Sequence, residues 1–168
     1  GFPPTPDGAE LRLLEKLYSP EEAALTAQLT PQLESSEAIA TRLGLVHAEL
    51  RKTLKSLAKR GLIEAGRTET GLGYAILPFV VGIYEYQAAS LDAELAALFE
   101  AYFQQGFHRV LNVQPPVHRV IPIGESVKNN MEIRPYESAA GLVDAMQSWG
   151  VLDCICRKQK ALIGQPCE

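Results

Sequence analysis

With 168 residues and a formal net charge of −4, the chain is long enough for one domain or two small ones with buried cores, and it does not suggest a protein that coats nucleic acid. Its 46% apolar and 21% charged residues are typical of a soluble globular protein. No run approaches the length of a membrane span, the start Gly1-Phe-Pro-Pro lacks the features of a signal peptide, and an odd number of cysteines argues against a disulfide framework, so we expect a cytoplasmic protein with no membrane partner.

The first thirty residues predict a disordered arm and two helices. Residues 1–8 are rich in proline and predict the arm. A first helix over 10–18 is predicted by leucines at helical spacing, namely Leu11, Leu14 and Leu17. Ser19 as N-cap, Pro20 at the first helical position and two acidic residues after it predict a second helix that runs to about Leu29.

The next segment predicts two helices and a β-hairpin. A third helix follows Ser35 and Ser36 and is closed by Gly44. A long helix over 47–60 places Leu50, Leu54 and Leu57 on one face, and Gly61 is suited to its C′ position. Strands are then predicted at 62–64 and 74–77, around a glycine-rich tip at 65–73.

This order of elements resembles the winged-helix superfamily over residues 9–78. The motifs that carry the resemblance are Ala38-Ile-Ala-x-x-Leu-Gly and Leu54-x-x-Leu-x-x-Arg-Gly-Leu-Ile. Candidate DNA-contacting residues are the basic side chains Arg51, Lys52, Lys55, Lys59 and, on the wing, Arg67. The alternative is that the helical cations form the solvated face of an amphipathic helix, and on the wing Glu69 offsets Arg67.

Residues 79–168 predict a helical connector and a small α/β module, which makes the whole chain α+β. The connector covers 79–106, where a helix over 91–105 capped by Ser90 has a broad apolar face. That face could support a homodimer or could cover the second half of the chain. The module covers 107–168, with strands near 117–123 and 131–134, a helix over 136–149 and a cysteine-bearing strand after Gly150.

The three cysteines lie in the last fifteen residues. On a strand, Cys154 and Cys156 would project from the same side, and Cys167 follows a Gly-Gln-Pro turn. Three converging thiols would suit a metal or an iron–sulfur cluster, and the nearby cations Arg157, Lys158 and Lys160 would lower thiol pKa values. The alternative is that these cysteines pack as small hydrophobic side chains.

Four further motifs resemble a family of bacterial 4Fe–4S ferredoxin-type proteins that have an N-terminal winged-helix region. They are Leu77-Pro-Phe-Val-Val-Gly-Ile-Tyr-Glu-Tyr-Gln, His118-Arg-Val-Ile-Pro, Pro135-Tyr-Glu and Asp153-Cys-Ile-Cys-Arg-Lys. The resemblance implies that Cys154, Cys156 and Cys167 are three ligands of a [4Fe–4S] cluster, and that a fourth cysteine lies beyond Glu168 in a longer protein.

Two functions therefore remain open at this stage. The resemblance implies the N-terminal part of an iron–sulfur protein that transfers electrons to a redox partner protein or senses redox state. The rival is a winged-helix transcription regulator that binds DNA and whose cysteines are structural or sense redox state. No nucleophile–base set, carboxylate pair or glycine-rich phosphate loop is evident, so we expect no catalytic residues.

Overall fold

The computed structural model describes residues 2–69, 71–115, 135 and 138–165. The first sixty residues, with their periodic apolar side chains, form four helices. The helices are α1 (Ala9–Leu17), α2 (Pro20–Thr26), α3 (Ser36–Leu43) and α4 (His47–Lys59). Ser19 and Glu22 form a capping box at α2, in which the Ser19 Oγ accepts the Glu22 N–H at 3.2 Å and Glu22 Oε2 accepts the Ser19 N–H at 3.0 Å. These starts agree with the sequence prediction.

A three-stranded antiparallel sheet completes this region. Its strands are β1 (Glu34–Ser35), β2 (Ile63–Thr68) and β3 (Gly71–Ile76), in the order β1-β3-β2. In its register Tyr74 of β3 lies opposite both Glu34 and Ala65. Helix, short strand, two helices and a two-stranded wing make a winged-helix fold, so the predicted α+β class is confirmed. The strands extend further than predicted, which leaves a shorter tip.

The core of this region includes the predicted leucine face of α4, whereas α1 buries Leu13 and Leu17 and leaves the predicted Leu11 58% exposed. Leu13, Ile39, Leu54 and Leu57 are fully buried. The ring of Tyr18 is also buried, and its hydroxyl donates to the Leu62 carbonyl at 2.8 Å, which ties α1 to the start of the wing.

The N-terminal residues are ordered by contacts, which corrects the prediction of a disordered arm over 1–8. The ring of Phe2 lies 5.1 Å from that of Phe79 and 5.6 Å from that of Tyr102, measured between centroids. The backbone N–H of Thr5 donates to Glu10 Oε2 at 2.9 Å. Burial of one aromatic ring outweighs the local proline content that suggested a loose segment.

A helical extension follows the wing. After an irregular turn at Phe79–Ile83 come α5 (Tyr84–Tyr86), a tight turn at Gln87–Ala89, α6 (Ala93–Tyr102), a wide helical turn at Phe103–Phe107 and α7 (His108–Leu111). The N-cap of α6 is Asp92, whose Oδ1 accepts the Leu95 N–H at 2.7 Å, and not Ser90 as predicted.

The apolar face of α6 is buried within its own chain. Leu95, Phe99 and Tyr102 are at most 5% exposed, and α6 packs on α1. The part of the predicted dimer face over 91–105 that Leu95, Phe99 and Tyr102 form is therefore covered within the chain, whereas Phe103 is 40% exposed.

The chain divides into two compact units, one formed by residues 1–111 with 153–168 and the other by 112–152. The smaller unit contains α8 (Ser138–Asp144), which is shorter than the predicted helix over 136–149, and the Trp149 indole N–H donates to the Val143 carbonyl at 3.1 Å. The predicted strands at 117–123 and 131–134 lie outside the described residues. The division differs from the predicted module over 107–168, since residues 153–165 belong with the winged helix.

The cysteine segment is a helix, which corrects the predicted strand. Helix α9 (Ile155–Leu162) begins directly after Cys154, its N-cap residue. Ile155 and Gln159 are its buried residues, at the i, i+4 spacing of one helix face. The C-x-C step had suggested a period of two, whereas the buried positions follow the helical period.

Gly61 gives a test of how the winged helix and its extension are joined. It has a φ of +69°, and a Cβ there would overlap the Cβ of Tyr86 and lie 2.8 Å from its Cγ. Gly44 has a φ of +67° and nothing within 4 Å of its would-be Cβ. We expect Gly44→Ala to lower the free energy of unfolding by about 1–2 kcal/mol, for the left-handed backbone alone.

Gly61→Ala should cost a further ~1–3 kcal/mol from overpacking. Urea unfolding of both variants measures the difference. Equal losses for the two variants would contradict the contact between Gly61 and Tyr86.

Candidate nucleic-acid interface and cysteine site

Helix α4 presents a basic face to solvent. Leu50, Leu54 and Leu57 fix its inner face in the core. At about 100° per residue, the four predicted cations fall within roughly 100° of arc on the opposite side. All four are exposed: Arg51, Lys52, Lys55 and Lys59. We call these four residues the basic face.

The basic face has no carboxylate partner within the described part of the chain. Described salt bridges with aspartate or glutamate instead take up cations on other elements, namely Arg12, Lys16, Arg42, Arg60 and Lys160. Arg42 illustrates the difference, because its guanidinium binds Glu34 Oε2 at 2.6 Å and holds the pKa of that carboxyl below its ordinary value.

The wing supplies less positive charge than α4. Arg67 is exposed on β2, opposite Leu72 of β3. Glu64 on the same strand and Glu69 at its end are also exposed. The wing could add one cationic contact to those of the basic face, as its sequence predicted.

His47 fixes the start of α4 against the start of α3, a role that its isolated position in the sequence did not indicate. Its Nε2 lies 3.0 Å from Ser36 Oγ and 3.1 Å from Glu37 Oε1. This contact joins the first turn of α4 to the first turn of α3. The basic face is therefore held by a polar contact at its N-terminal end as well as by leucines beneath it.

Cys154 and Cys156 lie at the N-terminal end of α9, and both are free and exposed. The pKa of the Cys154 thiol is lowered, chiefly by a hydrogen bond from the Arg157 backbone N–H. The Cys156 backbone N–H, the positive charge of Arg157 and the Cys156 thiol contribute in the same direction. The structure thus brings two of the three predicted ligands together, while Cys167 lies outside the described residues.

A buried polar chain anchors α9 and was not predicted from sequence. Tyr84 Oη donates to Gln159 Oε1, and Gln159 Nε2 donates to Glu100 Oε2 at 3.0 Å. Glu100 also pairs with Lys160 at 2.8 Å, which lowers the pKa of its carboxyl. Gln159 is only 6% exposed, so its satisfied amide fixes how α9 lies on α6.

The nearby cations are not equally free. Arg157 is exposed, whereas the ammonium group of Lys158 donates to the Ala88 carbonyl. Among the described residues no set of three or more His, Cys, Asp and Glu side chains could hold a metal ion. The two described thiols supply half of a four-thiolate ligand set.

In the part of the chain that the structure describes, no helix is long and apolar enough to cross a membrane.

Comparison with known proteins finds a likeness among solved structures and none among family models or curated proteins. Among solved structures, the chain is similar to a double mutant of Lactococcus lactis ZitR in its apo form, with 21% identity and a TM-score of 0.31, over 58% of this chain and 72% of that one. At that TM-score, the winged-helix assignment rests on the helices and sheet order described above.

The environment of Cys154 predicts enhanced reactivity. In metal-free protein with Cys156 and Cys167 replaced by serine, the rate of alkylation by iodoacetamide should rise with pH at a midpoint below that of the same protein in urea. The reason is that the hydrogen bond from Arg157 N–H favours the thiolate only when α9 is formed. Coincident midpoints in the folded and unfolded protein would contradict the described contacts.

Proposed function

We propose that this chain is a winged-helix protein that binds duplex DNA, with α4 as the helix that enters the major groove. The observation that carries the proposal is the basic face, four exposed cations without a described carboxylate partner on the outer side of α4. The second helix of a helix-turn-helix is the element that reads the groove in proteins of this fold.

The order of charges along α4 supports a ligand that is a polyanion. Arg51, Lys55 and Lys59 follow one another at i, i+4 spacing, and like charges at that spacing destabilise a helix by about 0.2–0.5 kcal/mol per pair. A merely solvated face would be relieved by acids between these cations, yet Glu49 is the one acid of α4. Bound phosphate groups would remove the repulsion among these cations. This relief would add to the direct attraction between the cations and the phosphates.

The net negative charge of the chain determines where its affinity for DNA must come from. With a net charge of −4, affinity for DNA must come from a local surface and not from the protein as a whole. Four or five phosphate contacts give a slope of log K against log salt of about −4. Binding should therefore weaken steeply between low and physiological salt.

Replacing two cations of the basic face tests this proposal. Lys52→Ala with Lys55→Ala should lower the affinity for a 20–30 base-pair duplex at low salt and make the salt slope shallower by about two, since two fewer counterions are released. Fluorescence anisotropy across a series of salt concentrations measures both quantities.

A matched control carries the same loss of charge elsewhere. Arg109 in α7 and Arg157 in α9 are exposed, and their joint replacement by glutamine should leave the slope unchanged. Equal slopes for the basic-face variant and the unmodified protein, or no measurable DNA binding at low salt, would refute the proposal.

A second candidate function is favoured by the paired thiols at α9. We propose that Cys154 and Cys156, with Cys167 and a further ligand, hold a [4Fe–4S] cluster for electron exchange with a redox partner protein or for redox sensing. The two described cysteines fit this role because both are free, exposed and adjacent, and Arg157 would offset the negative charge of a cluster. Such a cluster would supply one-electron redox chemistry when bound.

Metal analysis tests this second function separately from DNA binding. Protein purified without oxygen, both as this chain and as any longer gene product that contains it, should hold iron and acid-labile sulfide, with about four of each in the form that has a full ligand set. Cys154→Ser with Cys156→Ser should lose both, while Lys52→Ala with Lys55→Ala should keep them. Absence of iron from every form would rule out the cluster and leave DNA binding untouched.

A further inference from the structure

We propose that a pocket beneath α9 binds a small organic cation with an apolar body. The pocket has a volume of about 280 Å³ and lies within the larger unit, between α5, α6, the helical turn at Phe103–Phe107 and α9. We call it the aromatic pocket, after the rings that line it: Phe79, Tyr84, Phe99, Phe103 and Phe107.

The rings form a wall with fixed edges and faces. Tyr84 and Phe99 meet at 83° with centroids 4.9 Å apart, and Phe79 and Phe107 meet at 73° with centroids 5.0 Å apart. Phe103 is 40% exposed and lies at the solvent side. Aromatic faces attract organic cations by their quadrupole, and more strongly when water is excluded.

The charged side chains that line the pocket, Glu85, Glu100 and Lys160, leave a net negative charge. Glu100 is neutralised by Lys160 at 2.8 Å. Glu85 also lines the pocket and accepts the Gly82 N–H at 2.6 Å. No described cation pairs with the Glu85 carboxylate, so one negative charge remains at an aromatic wall.

Size and charge together select the class of ligand. A volume of about 280 Å³ is at the lower end for small-molecule sites, which suits one ring or a short alkyl body with an ammonium group. The remaining carboxylate disfavours anions of the same size, since two like charges would repel each other. A neutral molecule would gain the ring contacts but not the charge.

The test compares three probes of similar size. They are phenyltrimethylammonium, its uncharged isostere tert-butylbenzene, and benzenesulfonate, each titrated into the protein and followed by NMR chemical shifts. The cation should bind at least about tenfold more tightly than the isostere, through the combined effect of the rings and the carboxylate, and the sulfonate should bind more weakly than either.

Variants assign the preference to Glu85. Glu85→Gln should lower the affinity for the cation, although the rings should keep it above that for the isostere. It should leave the affinity for the isostere unchanged, because the amide oxygen can still accept the Gly82 N–H. Glu15→Gln removes the same charge from the exposed side of α1 and should change neither affinity.

Equal affinities for the three probes would overturn the proposal. So would a failure of the cation to bind at about 10 mM, a concentration at which even a weak ligand is detected. An unchanged preference in Glu85→Gln would do the same. If that variant fails to fold, the probe series on the unmodified protein decides. None of these outcomes depends on whether the chain binds DNA.

Discussion

The packing of one ring, Phe79, holds the larger unit together. The ring is 4% exposed, and the centroids of five other aromatic rings lie 5.0–6.0 Å from its own: Phe2, Tyr84, Phe99, Tyr102 and Phe107. Because Phe79 follows β3 after two residues, this cluster joins the wing to the helical extension. Helix α6 can then present Glu100 to α9, and α9 in turn positions Cys154 and Cys156. The cysteine site therefore depends on aromatic contacts that are distant in sequence. Tyr102 and Phe107 meet Phe79 edge to face, at 76° and 73°, and the other three rings lie tilted against it.

The surface of the larger unit has regions where charged side chains form ion pairs and one region, the basic face, where described cations have no carboxylate partner. Most described ion pairs join different elements, as Arg60 does with Glu22 at 2.6 Å across 38 positions of sequence. Such exposed pairs contribute only about 0–1 kcal/mol each to stability, so they do not explain the fold, but they do neutralise the surface where they occur. The basic face is the exception, because its cations have no described carboxylate partner and Glu49 is the one acid on α4. Repulsion among the cations of the basic face lowers the stability of α4, so these residues are better explained by binding of an anionic ligand than by a contribution to folding.

The winged helix was predictable from sequence because its signals are local. Serine caps and leucine spacing predict where α2, α3 and α4 begin, and the cations of α4 follow from the same periodicity, whereas α2 ends at Thr26 and not near Leu29 as predicted. The cysteine segment was not predictable in this way. The C-x-C step in the run from Val151 to Cys156 suggested a strand, and only the burial of Ile155 and Gln159 reveals a helix. The hydrogen bond between Gln159 and Glu100 spans 59 residues, and the contact that orders Phe2 against Phe79 spans an even longer stretch of chain. No local pattern encodes such distances. The aromatic pocket was missed for the same reason, since its rings come from separate elements.

Helix α5 contacts both the C-terminal end of α4 and helix α9. Gln87 Nε2 donates to the Arg60 carbonyl at 3.0 Å, directly after the last turn of α4, and Gly61 lies against Tyr86. Tyr84, in the same short helix as Tyr86, lines the aromatic pocket and hydrogen-bonds to α9. Since protein interiors are close-packed, α5 cannot move without disturbing the end of α4, where Lys59 lies. Coupling between the sites would further require two arrangements of α5 that each ligand stabilises differently. The described contacts that such coupling would use are those of α5 with Arg60 and Gly61 on one side and with Gln159 of α9 on the other.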